Sequence, residues 1–183
     1  KAFPIIVTLI LLLTFFILLR IFRSIVLSVK AIILDLLSIG LSFSALVVVF
    51  KFGVGTYQLE QIEAWVLILL FAILFGLSMD YEIFIVSRMR EARDRGASNE
   101  EAIREGMQAT GTVVTAAALI FISALTGLIS GHFAGLQQLG IGLAIGVLVD
   151  ATVIRSLLLP SAMVLLGRWN WWMPVQRKTP TLK

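Results

Sequence analysis

Asp80, Tyr81 and Glu82 stand side by side inside an apolar run that begins at Ala64, in the stretch GLSMDYEIFIVSRMR from Gly76 to Arg90. Ionisable groups in a membrane-spanning helix are rare and costly, and they usually face a cavity or a partner. Asp80 lies eight residues before Arg88, the first charge of a basic cluster. That spacing sets it about 12 Å inside the interface, from the rise per residue of an α-helix. In so low a dielectric the charged form of a carboxyl is disfavoured, and the group can load and release a proton at working pH. A proton relay is the chemistry this predicts. The alternative is a carboxyl kept neutral by a structural partner.

Other side chains share the helix faces around it. Ala72, Gly76, Asp80 and Phe84 recur every four residues, with Ser87 three further, so they line one face, and the small ones let another helix approach. Tyr81 sits about 100° round the helix and offers a phenol as hydrogen-bond donor or relay station. Glu82 points elsewhere and either supports the relay or pairs with an arginine. Further along, Thr115, Ser123, Thr126 and Ser130 form a hydroxyl stripe that would hold water near Asp80 or serve as helix–helix glue. Gly142, Gly146 and Asp150 repeat at four, with Arg155 five residues on. An ion pair near the membrane surface is the first reading of Asp150, and a proton exit the second. Asp35, five residues past Lys30, reads as a structural acid that snorkels. Asp80 and Tyr81 are thus the relay candidates, with Glu82, Thr115, Ser123 and Asp150 as candidate supports.

The elements that must position these groups are apolar helices. Of 183 residues 59% are hydrophobic and 14% charged, with a mean hydropathy of +1.01, against about 25% charged in a soluble domain. In lipid every peptide group needs an internal partner, so an all-α bundle is expected. Five spans are countable, at about 3–20, 31–50, 64–87, 112–130 and 136–159, with Pro160 kinking the continuation of the last. A polar connector runs from Lys51 to Glu63 through Gly53, Gly55, Gln58, Glu60 and Gln61. Ser98 followed by Glu101 is a capping box, which predicts an amphipathic interfacial helix over 99–109. Residues 1–166 then form the membrane domain and 167–183 a cytoplasmic tail, opening with Trp169, Trp171 and Trp172 as an aromatic belt.

Arg20, Arg23, Lys30, Arg88, Arg90, Arg93, Arg95, Arg104, Arg155, Arg168, Arg177, Lys178 and Lys183 fall on one side, and only Lys1 and Lys51 on the other. By the positive-inside rule the first side is cytoplasmic. The pI of 9.9 reflects this flanking, with no basic stripe for nucleic acid. Without cysteine, and with His132 the single histidine, there is no disulfide framework and no metal-ligand cluster. The opening KAFPIIVTLILLLTFFILLR has no small-residue cleavage site and reads as a span. No phosphate-cradling glycine loop or nucleophile elbow is present. No enzyme and no cofactor are expected, and any work would be driven by an ion gradient.

FGLSMDYEIFIVSRMREARDRG, ATGTVVTAAALI, GLAIGVLVDATVIR and RWNWWMP together resemble the C-terminal membrane domain of MmpL-type transporters of the RND superfamily. The resemblance covers nearly the whole chain. It implies a bacterial cytoplasmic-membrane protein that exports lipids or other hydrophobic molecules on proton-motive force, with the Asp-Tyr proton site on Asp80 and Tyr81. It also implies a twelve-helix whole in two pseudo-repeated halves, of which this chain is expected to be a C-terminal portion. The expected partners are the lipid bilayer, a hydrophobic substrate, the N-terminal half and further copies in a homo-oligomer, with no nucleic acid. The competing expectation is a sterol-sensing-like or scaffolding module in which Asp80 is structural.

Overall fold

The computed structural model describes residues 2–53, 62–131 and 133–172. Gly55, Gln58, Glu60 and Gln61 of the expected connector, His132, and the tail beyond Trp172 lie outside the described residues. Among the described residues the elements are all helical. They are α1 (Ala2–Phe22), α2 (Ile25–Phe52), α3 (Ala64–Asp94), α4 (Asn99–Ile129), α5 (Ala134–Val149), a π-helical segment (Asp150–Leu158), α6 (Leu159–Leu166) and a 3-10 turn (Gly167–Trp171). The last four run end to end, so five helices are long and apolar enough to cross a membrane. The expected all-α bundle of five spans is present.

Local chemistry explains where the helices start and stop. Arg23, at φ 47, turns the chain after α1, and the Ser24 hydroxyl accepts the Leu27 N–H at 3.3 Å to cap α2. Gly53 closes α2 in the left-handed region at φ 66, its N–H reaching the Val49 carbonyl. Between α3 and α4, Gly96 takes φ 97, a conformation that costs glycine nothing. The capping box is then complete: Ser98 Oγ accepts the Glu101 N–H at 3.2 Å, and Glu101 accepts the Ser98 N–H at 2.8 Å.

Where the sequence reading separated an interfacial helix over 99–109 from a span over 112–130, the structure has one helix of 31 residues. No proline interrupts 99–129, and Gly106 fits directly against Met89 of α3, which holds the first turns on the same axis as the rest. α3, also 31 residues, is about 46 Å long against a hydrocarbon core of roughly 30 Å. Its last turns, from Arg88, therefore project beyond the core, where Arg88 pairs with Glu91 at 2.9 Å and Arg95 with Glu105 of α4 at 2.7 Å.

Lipid offers no hydrophobic drive between helices, so close fit and hydrogen bonds must hold them together. Gly142 and Gly146 of α5 supply the fit, taking Leu70 and Leu74 of α3 against their bare backbone. Ser42 of α2 donates to the Gly142 carbonyl at 2.8 Å. At the end carrying the basic cluster, Trp171 donates to Asn99 at 2.9 Å, and the Arg90 guanidinium lies 5.5 Å from the Trp171 ring centre. Of the expected aromatic belt, Trp169 and Trp172 remain exposed and Trp171 is docked. α1 stands to one side, buried chiefly through Leu18 and Phe22 near its C-terminal end.

Candidate functional site

α3 carries its three adjacent polar residues into three different surroundings. Asp80 is exposed and opens on a recess of about 360 Å³ between α1 and α3, lined among others by Thr14, Ile17, Leu18, Ala72 and Gly76. A Cβ added to Gly76 would meet nothing within 4 Å. The small-residue face expected around Asp80 is therefore present, and among the described residues none packs directly against Gly76. Tyr81 turns inward to half-burial, with the Arg155 guanidinium 5.0 Å from its ring centre. Asp80 and Tyr81 are neighbours in sequence that look into different compartments.

The hydroxyl stripe of α4 does not join them. Thr115, Ser123, Thr126 and Ser130 are all exposed, and none of them lines the recess at Asp80. Ser123 donates to its own helix at Leu119 at 2.7 Å, and Thr126 and Ser130 donate back to Ser123 and Thr126 at 2.7 Å each.

Glu82 and Asp150 belong to a second, buried group. Asp150 and Arg155 pair at 2.6 Å through Nε, with side chains only 10% and 4% exposed. Five residues is an awkward spacing on an α-helix, but it suits this π-helical segment, whose backbone bonds span five residues. The sequence reading placed this pair near water; the structure buries it, because the Arg155 Nη2 reaches across to both the carbonyl and the hydroxyl of Ser78 on α3. Ser78 Oγ also contacts Asp35 Oδ1 of α2 and lies 2.9 Å from Asp150 Oδ1.

Asp35 is fully buried and Lys30 nearly so, so Asp35 does not snorkel and is held instead by Ser78. Glu82 is buried on α3 and lines the same enclosed space as Asp35, Asp150 and Arg155. Lys30 Nζ, Asp35 Oδ2, Glu82 Oε1 and Arg155 Nη1 have no hydrogen-bond partner among the described residues. Sequence reasoning missed Ser78 altogether and set Asp35 aside. The available signal was that both Lys30 and Asp35 lie in or beside an apolar run, five residues apart, where an α-helix cannot pair them directly.

Chemically, the outer site offers an acid in an apolar recess, and the inner one offers three carboxyls and the Arg155 guanidinium around a space with no room for a water molecule. Among the described residues no three histidine, cysteine or carboxylate side chains are grouped so that they could hold a metal ion.

Residues 1–182 match the MMPL family. The chain is 42% identical over 156 residues to a Streptomyces coelicolor protein named as a membrane protein, covering 82% of this chain and 22% of that one. It is 41% identical over 175 residues to the trehalose monomycolate exporter MmpL3 of Mycobacterium tuberculosis. Over the same length it is 35% identical to the mycolic acid-containing lipids exporter MmpL11 of Mycolicibacterium smegmatis. Each of these two alignments covers 93% of this chain and 18% of the relative. The chain thus spans about a fifth of the length of the curated relatives it matches.

Proposed function

Because the chain belongs to the MMPL family, we propose that it is the helical membrane portion of a proton-driven exporter of lipids or other hydrophobic molecules, with Asp80 as the acid that loads and releases the proton. The observation that carries this reading is the placement of Asp80 on an outward, small-residue face of α3 above an apolar recess. A spanning helix does not leave a carboxyl on such a face without a polar partner. That partner belongs to the rest of the transporter, the half that this chain does not contain. The names of the relatives, exporters of trehalose monomycolate and of mycolic acid-containing lipids, support the substrate class.

The energy source is the proton gradient, which supplies about 2.3 kcal/mol per charge per 100 mV. Protonation removes the charge of Asp80 and with it the cost of letting an apolar helix surface close over the recess. Release restores that cost and reopens it. Tyr81, one residue on and stacked on Arg155, connects this event to the buried charges, so that α3 reports the state of Asp80 to α2 and the π-helical segment. Thr115 and Ser123 face away and take no part within this chain.

Asp80→Asn in the full-length transporter tests the reading, since it keeps shape and hydrogen bonding while deleting titration. Export is lost at an unchanged level of protein in the membrane. Export at the wild-type rate would overturn the relay and leave a structural acid in a scaffolding module.

A further inference from the structure

The buried group between α2, α3 and the π-helical segment contains one more acid than base. Asp35, Glu82, Asp150 and Arg155 line one enclosed space, and Lys30 is the further buried cation of α2. α5 and α6 carry no charged residue, and the charged side chains of α4, like Arg20 of α1, are exposed. An unbalanced charge in so enclosed a place is strongly unfavourable, so something neutralises it. The space has no room for a water molecule, and therefore none for a hydrated cation.

Hydrogen-bond counting locates the neutralising proton. A serine hydroxyl has one hydrogen to give and two lone pairs to accept with. Ser78 Oγ lies against carboxylate oxygens of both Asp35 and Asp150 and accepts from Arg155 Nη2 at 3.0 Å. It can donate to only one of the two acids. Asp150 is the ionised one, since its Oδ2 takes the Arg155 Nε–H at 2.6 Å. Ser78 donates to Asp150, one lone pair takes Arg155, and the other is left facing Asp35 Oδ1, which must supply a hydrogen. The remaining oxygen, Asp35 Oδ2, has no partner, a cost that is tolerable for a neutral carbonyl and severe for half a carboxylate.

We propose that Asp35 is a proton-binding site in its own right, its carboxyl donating through Ser78 to the Asp150–Arg155 pair in one directional chain across three helices. The site is separate from Asp80, on another helix and in the closed interior instead of the open recess.

Infrared spectroscopy of the full-length transporter in lipid, in the Asp80→Asn background so that Asp80 adds no proton of its own, reads the site directly. A carbonyl stretch of a protonated carboxylic acid is expected at neutral pH. It shifts on deuteration, moves when Ser78→Ala removes its acceptor, and disappears in Asp35→Asn. A spectrum without the band overturns the proposal, as does a band that survives Asp35→Asn, vanishes instead in Glu82→Gln, or is removed by exchanging choline for sodium. Stability gives a second reading. Asparagine donates the same bond to Ser78 as a protonated acid, so Asp35→Asn melts within a few degrees of the parent and well above Asp35→Ala. Equal losses in both, or failure of Asp35→Asn to fold, would show that the carboxylate is required. Export in the Asp80→Asn protein does not enter either measurement, so each reading can fail without the other.

Discussion

Glu82 faces the packed interior of the bundle, about 200° round α3 from Asp80, which opens on the recess beside α1. Two acids separated by one tyrosine thus serve opposite sides of a single helix. One looks toward whatever covers this chain, and the other is already enclosed by it. The consequences for substitution differ accordingly.

Tyr81→Phe keeps the ring over which Arg155 lies at 5.0 Å and removes one hydroxyl, a change of about 1–3 kcal/mol if a buried partner is left unsatisfied. Export falls but keeps its pH dependence. Tyr81→Leu also loses the cation–π contact and lowers the melting temperature of the protein, which the phenylalanine variant does not. Paired export assays and thermal melts separate the two roles.

Asp150→Asn leaves Arg155 charged and almost without exposure. Breaking a buried pair from one side costs about 3–5 kcal/mol, so the single variant unfolds at markedly lower temperature or denaturant. Replacing both, Asp150→Asn with Arg155→Met, recovers part of that loss because no lone charge is stranded. A double variant no more stable than Asp150→Asn would show that Arg155 contributes chiefly through Ser78.

Gly146 and Gly76 make a contrasting pair. A Cβ at Gly146 would lie 2.5 Å from Leu74 Cδ1 and 3.0 Å from Ser42 Oγ, so Gly146→Val destabilises the bundle by about 1–3 kcal/mol. Gly76→Val has open space and leaves melting of this chain in detergent unchanged. In the full-length transporter it lowers export, by holding the other half away from α3.

Sidedness is checked with single cysteines, the chain having none. Ala97→Cys, in the turn between α3 and α4, reacts with a membrane-impermeant reagent only from the cytoplasm, and Phe52→Cys, at the exposed end of α2, only from outside. Labelling of both from one side would contradict the alternating arrangement of five spans.

The periodic apolar runs made the five-helix architecture legible, as did the Ser98 and Glu101 box. The union of 99–109 with the span behind it was not, because composition changes at Thr110 while the backbone does not: amphipathic turns and apolar turns can share one axis. The recess at Asp80 was partly readable, since Ala72, Gly76 and Asp80 share a helix and their spacing defines a face. The inner cluster was hidden. Asp35, Ser78 and Asp150 lie on separate elements, and proximity between helices leaves no mark in a single sequence. Asp150 and Arg155 were recognised as a pair, but their depth follows from the reach of Arg155 to Ser78, which spacing does not encode.

The π-helical segment Asp150–Leu158 makes this stretch intolerant of length change in a way that loops are not. Deleting one exposed residue, Thr152 or Val153, would let the backbone relax into ordinary α-helix. Every side chain beyond the cut would then turn by about 100°. Arg155 would leave Asp150, Ser78 would lose a donor, and Met163 and Trp171 would swing away from Asn99 of α4, to which both are now hydrogen-bonded. The added residue and the charges it aligns can be gained or lost only together, so insertions and deletions that this chain accepts should fall in its turns and never between Asp150 and Leu158.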